Sequence, residues 1–83
     1  MKINVMATSR RLARGHTAFE LTQAMQDYLN GGIVSPYIET LLMDSEDAIN
    51  VLAKAGVLRE LMDAGMNEQN AVRTLAKRMR VLS

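Results

Sequence analysis

The chain has 83 residues, with ten lysines and arginines against nine aspartates and glutamates, and it contains no cysteine. The lack of cysteine excludes disulfides, zinc ribbons and cysteine nucleophiles, and a net charge of +1 excludes a long basic or acidic tail. A domain of this size buries only about 60% of the surface of its unfolded chain, so we expect it to self-associate or to bind a partner.

The sequence contains no apolar run of the roughly 18 residues that a membrane-spanning helix needs. Its N-terminus also lacks the apolar region of a signal peptide. Together with the absence of cysteine, these features predict a cytoplasmic protein that does not enter a membrane.

Residues 1–16 form an N-terminal arm that two patterns describe differently. Lys2–Met6 alternates polar and apolar residues, which is typical of a short strand. Ser9, in contrast, is a suitable N-cap for a short helix in the second half of the arm. On such a helix Arg10 and Arg14 would stand one turn apart and repel each other. Both structures therefore stay open.

The next segment carries a clear helix signal. Thr17 and Glu20 form a capping box at the start of a helix that ends at Asn30 and two glycines. Phe19, the only phenylalanine, lies off the apolar face of this helix. It either packs against the arm or serves as an exposed anchor for a partner. The predicted apolar face comprises Leu21, Ala24, Met25, Tyr28 and Leu29.

A second short helix is predicted to follow the glycine turn. Ser35 is an N-cap residue and Pro36 suits the first helical position, so this helix would run to Met43. Residues 17–43 are therefore interpreted as a pair of helices.

Residues 44–83 form a helical C-terminal half in which the apolar pattern changes phase at Gly56. The apolar residues before and after this glycine fall on opposite sides of a single helix, which a surface helix would not show. We predict two short helices, about 46–55 and about 58–64, separated by a glycine turn. The alternative is one continuous helix held on opposite sides at its two ends, which would require a partner.

The last helix has well-defined ends and a charged face. Gly65 and Met66 fit the glycine and apolar positions of a Schellman ending, and Asn67 is a suitable N-cap for a helix over 68–82. One face of this helix is apolar. The opposite face carries a basic stripe, which consists of Arg73, Lys77 and Arg80.

Residues that could carry chemistry are few. His16 is the sole histidine and has no partner at a metal-binding or catalytic spacing. Asp44, Glu46 and Asp47 do not follow the spacing of a calcium-binding loop and are better explained as acids at a helix start. We therefore predict no enzymatic activity, no cofactor and no metal site.

The sequence as a whole predicts a single all-α domain over residues 1–83, a small bundle of four to five short helices with an N-terminal strand or arm. Because no catalytic pattern is present, the favoured function is a small regulatory, inhibitory or adaptor protein that docks on a protein partner and forms a homo-oligomer. The residues predicted to contact the partner are Phe19, Leu58, Leu61 and Met62.

The alternative function is a small dimeric DNA-binding regulator. A short strand bearing Arg10, Arg11 and Arg14, followed by a capped helix, a glycine turn and a second helix, is similar in layout to the ribbon-helix-helix repressors. That resemblance implies a dimer whose two-stranded ribbon lies in the major groove and reads base edges. A separate route to DNA is contact of the basic stripe with phosphates.

Overall fold

The computed structural model describes residues 4–31 and 45–82, and within these ranges every regular element is an α-helix and none is a strand. The all-α prediction is therefore confirmed. Helix α3 lies at the centre and contacts each of the other three helices. The predicted helix over 35–43 falls outside the described residues. The four helices are α1 (Val5–Gly15), α2 (Ala18–Gly31), α3 (Ser45–Asp63) and α4 (Glu68–Leu82).

Helix α1 includes most of the N-terminal arm. It begins at Val5 because the side chain of Asn4 caps it, with the Ala7 amide donating to Asn4 Oδ1 over 3.0 Å. This hydrogen bond satisfies one of the amides that have no partner at a helix start. The strand prediction is therefore wrong from residue 5 onward, and the cap is Asn4 rather than Ser9.

Ser9 lies instead in the middle of α1, fully buried where this helix meets α3. Its hydroxyl donates to the Val5 carbonyl oxygen over 2.7 Å and lies 3.3 Å from the Val51 carbonyl oxygen of α3. These contacts satisfy the buried hydroxyl, and the small side chain lets the two helices approach closely. Two of the four buried residues of α1 are polar, which is why the apolar pattern did not reveal this helix. The four are Thr8, Ser9, Leu12 and Ala13.

Helix α2 begins as predicted. The Thr17 amide donates to Glu20 Oε1 over 2.9 Å, and the Glu20 amide donates to Thr17 Oγ1 over 3.1 Å. These two bonds form the capping box, and the hydrogen bonds from Thr17 lower the pKa of the Glu20 carboxyl below its ordinary value. Leu21 and Ala24 are buried, so the centre of the predicted apolar face is confirmed.

Helix α3 runs for 19 residues without interruption through Gly56. The predicted division into two helices is therefore wrong. Gly65 is the glycine that has a positive φ among the described residues, and Gly56 does not. The helix is held on opposite sides at its two ends, as in the alternative, but by other helices of the same chain.

Two separate cores explain the change of phase. Before Gly56, α3 packs against α1 and α2, and after Gly56 it packs against α1 and α4. The first core consists of Leu12, Leu21, Ala24, Val51, Leu52 and Ala55. The second core consists of Ala13, Leu58, Leu61, Ala71 and Leu75. Both apolar sides of α3 are thus buried within one chain.

The connection between α3 and α4 follows the predicted Schellman ending. Gly65 has a φ of +112°. The Gly65 amide donates to the Met62 carbonyl and the Met66 amide to the Leu61 carbonyl, each over 3.1 Å. This is the hydrogen-bond pair that satisfies the last carbonyls of a helix.

Helix α4 also begins where the sequence predicts. The Asn70 amide donates to Asn67 Oδ1 over 2.8 Å, so Asn67 is the N-cap. Glu68 occupies the first turn, where the positive end of the helix dipole favours a carboxylate. Ala71 and Leu75 face the second core and fix which side of the helix is turned outward.

Candidate interaction surfaces

One flank of α2 exposes large apolar side chains. Phe19 is 76% exposed and Leu29 is 62% exposed. At about 100° per residue, both lie on one side of α2 together with the exposed Thr22 and Gln26. Packing of Phe19 against the N-terminal arm is therefore wrong. The placement of Leu29 on the buried face is wrong as well, because the preceding Tyr28 packs against the first core instead.

An apolar groove of about 160 Å³ lies between α2 and α3. Gly56 forms part of its wall, and a Cβ atom placed on this glycine would meet no atom within 4 Å, so the missing side chain leaves the groove open. Glu60 is the charged residue among the described residues that line it. The apolar and uncharged lining residues are Leu21, Thr22, Met25, Leu52, Ala53, Gly56 and Val57.

The groove was not predicted from the sequence. Its one signal was a glycine inside a helical pattern, and that signal also fits the helix break that we predicted at Gly56. A cavity of about 150 Å³ holds a benzene molecule, so this groove has room for about one apolar side chain.

The structure separates the four residues predicted to contact a partner. Leu58 is fully buried and Leu61 is 9% exposed, and both belong to the second core. Met62 is half-buried and packs against the same core. Phe19 lies on α2, which packs on the other half of α3. Among the four, Phe19 is therefore the side chain that is open to solvent.

Two of the arginines predicted to lie on a ribbon share a single carboxylate. Arg10 Nη2 donates to Glu68 Oε2 over 2.7 Å, and Arg14 Nε lies 3.2 Å from Glu68 Oε1 in an ion pair without hydrogen-bond geometry. The hydrogen bond from Arg10 and the nearby positive charges hold the pKa of the Glu68 carboxyl below its ordinary value. The predicted repulsion between the two arginines is relieved by a residue from α4.

The same geometry bears on the resemblance to ribbon-helix-helix repressors. Arg10, Arg11 and Arg14 belong to helix α1, so they do not form a strand that could lie in a DNA groove. The ribbon version of the DNA hypothesis is therefore wrong. Arg11 is exposed and has an interaction partner of its own.

The basic stripe of α4 is turned away from the second core. Arg73, Lys77 and Arg80 are exposed, whereas Ala71 and Leu75 on the opposite side are buried. Arg80 has an interaction partner of its own. Arg73 and Lys77 make no ion pair or side-chain hydrogen bond with other described residues.

Among the described residues, no three histidine, cysteine, aspartate or glutamate side chains come together as metal ligands would. His16 is half-buried and has an interaction partner. None of the helices in 4–31 and 45–82 has the length and hydropathy needed to cross a bilayer.

Comparisons of the chain with protein-family models, with curated proteins and with solved structures gave no match.

Proposed function

We propose that this chain is a non-catalytic interaction domain that docks on a protein partner through the flank of α2 and the adjoining groove. The single observation that carries the proposal is the exposure of Phe19, a large apolar residue that is 76% exposed to solvent. Covering a large apolar side chain contributes roughly 1.5–3 kcal/mol, and aromatic residues dominate the energetics of protein interfaces. The cytoplasmic location expected from the cysteine-free sequence is part of the proposal.

Single apolar residues on a surface are common, but here two large exposed ones and an apolar groove lie along the same helix. Leu29 shares the exposed side of α2 with Phe19, and the groove beside Gly56 borders the same helix. An exposed ring and an open apolar groove on the same helix give a partner both a protrusion to cover and a recess to fill. This combination is typical of the centre of an interface rather than of its polar rim.

The chemistry of the groove indicates what kind of segment it takes. Its volume suits one apolar side chain, and Glu60 places a carboxylate in its wall. We therefore propose a partner helix that inserts an apolar residue beside Gly56 and brings a lysine or arginine near Glu60. Helices that bind in grooves insert apolar residues that are spaced three to four positions apart in their sequence.

The experiment compares partner capture by wild-type protein and by two variants that add the same charge. Phe19→Asp removes the exposed ring, and Gln69→Asp places an aspartate at an exposed site in the first turn of α4. Proteins captured from the native host are titrated against each purified variant after circular dichroism confirms folding. We expect Phe19→Asp to weaken binding at least thirtyfold, about 2 kcal/mol, and Gln69→Asp to leave it unchanged.

Two outcomes would contradict the proposed surface or its partner. Equal binding by folded Phe19→Asp would exclude the α2 flank as the contact site. A wild-type mass twice that of Phe19→Asp in light scattering would instead identify a second copy of the chain as the occupant of the α2 flank.

A further inference from the structure

Charge is divided between two pairs of helices. Helices α1 and α4 together carry seven arginines and lysines and one carboxylate. Helices α2 and α3 carry six carboxylates and two basic residues. The net charge of +1 for the whole chain hides this separation. Among the described residues, α1 and α4 therefore carry a strong excess of positive charge.

The ion pairs described above occupy the one carboxylate of these two helices. Glu68 is the one carboxylate of α1 and α4, and both Arg10 and Arg14 lie against it. Because it is already paired, it has little capacity to neutralise the cations farther along α4. Those cations are Arg73, Lys77, Arg78 and Arg80.

The outward face of α4 presents its cations in a regular array. Arg73 and Lys77 lie one turn apart, about 6 Å along the helix axis, and neither has an ion-pair partner among the described residues. Asn70 lies on the same side, three and seven residues before them, and adds an amide donor. Among the described side chains of α4, the face carries donors and positive charge but no large apolar anchor.

We infer that the outward face of α4 binds the phosphate backbone of nucleic acid. Contacts with phosphates come chiefly from lysine, arginine and amide donors and need no apolar anchor. A protein partner would be expected to use a desolvated aromatic or aliphatic anchor, which this face lacks. The site is separate from the α2 flank and does not depend on the function proposed for that flank.

A membrane surface fits the face less well. A helix that lies in a bilayer interface buries its apolar side in lipid. The apolar side of α4 is not available to lipid, because Ala71 and Leu75 are buried in the second core. The basic face alone would have to hold the protein on lipid.

The test is fluorescence anisotropy of a labelled duplex DNA of about 20 base pairs, titrated from low to moderate salt. A single-stranded RNA of equal length is titrated in parallel. We expect dissociation constants of about 10⁻⁴ to 10⁻⁶ M near physiological salt, with affinity falling steeply as salt rises. Arg73→Gln and Lys77→Gln should each reduce the slope of log affinity against log salt by about one.

A matched control removes one positive charge elsewhere. Lys54→Gln changes a half-buried lysine of α3 and should leave the salt slope unchanged. Absence of binding at low salt would overturn the inference, as would equal slopes for Arg73→Gln, Lys77→Gln and Lys54→Gln. Binding to phosphatidylserine vesicles but to neither nucleic acid would overturn it in favour of a lipid surface. Phe19→Asp should still bind DNA, which separates this result from the test of the α2 flank.

Discussion

The two halves of α3 bury their apolar side chains on opposite sides of the helix. Before Gly56, Val51, Leu52 and Ala55 face α1 and α2, and after it Leu58 and Leu61 face α1 and α4. Each half is amphipathic, but the whole helix is not. A long helix can therefore lack a single apolar face when its neighbours change along its length.

The largest loss of stability is expected from substitutions that create a cavity in one core at a time. Leu52 and Leu58 are both almost fully buried, one in each half of α3. We expect Leu52→Ala and Leu58→Ala each to lower the free energy of unfolding by about 2–5 kcal/mol, because each leaves a cavity. Urea denaturation measures both losses. If only Leu52→Ala were destabilising, the second core would not contribute to the fold.

Alanine substitutions at Gly56 and Gly65 are expected to change the free energy of unfolding in opposite directions. Gly56→Ala should raise the free energy of unfolding by about 0.5–1 kcal/mol, because alanine favours a continuous helix and its Cβ meets no atom within 4 Å. Gly65→Ala should lower the free energy of unfolding by about 1 kcal/mol or more, because φ is +112° at this residue.

Thermal unfolding of both alanine variants provides the measurement. A loss of stability in Gly56→Ala would indicate a turn at that residue and restore the two-helix prediction. The same variant narrows the groove, so an accompanying loss of partner affinity without a loss of stability would support docking beside Gly56.

The smallest effect concerns the ion pairs that join α1 to α4. Glu68→Gln should lower the free energy of unfolding at neutral pH by up to about 1 kcal/mol, the range of partly exposed pairs. Because the folded-state pKa of Glu68 lies below its ordinary value of 4.5, its contribution is present above that pH and is lost as the pH falls through the lowered pKa.

Urea denaturation from pH of about 7 to about 3 follows this loss, and the difference between wild type and Glu68→Gln isolates it from Glu20. The two proteins should converge in stability at the acidic end. A constant difference across the pH range would mean that the carboxylate charge of Glu68 is not what stabilises the fold.

Features encoded by neighbouring residues could be predicted from the sequence. The capping box at Thr17, the glycine ending at Gly65 and the cap at Asn67 each depend on residues within one helical turn, and all three are present. The buried centre of α2 was predictable for the same reason.

Features that depend on distant residues could not be predicted. The hydroxyl of Ser9 lies against a carbonyl 42 positions away, and Arg10 pairs with a glutamate 58 positions away. The burial of Leu58 likewise depends on α4, so its apolar character alone did not show whether a partner or the chain itself covers it. The exposure of Phe19 was one of two sequence-based alternatives, and only its position in the fold decided between them.

Amide hydrogen exchange along α3 is the most direct test of whether helices of a single chain pack against both sides of it. If helices of one chain cover both sides of α3, amides of residues 57–61 should be protected from exchange like those of residues 51–55, at every protein concentration. Rapid exchange beginning at Gly56, or protection of the second half that appears only as the concentration rises, would contradict it.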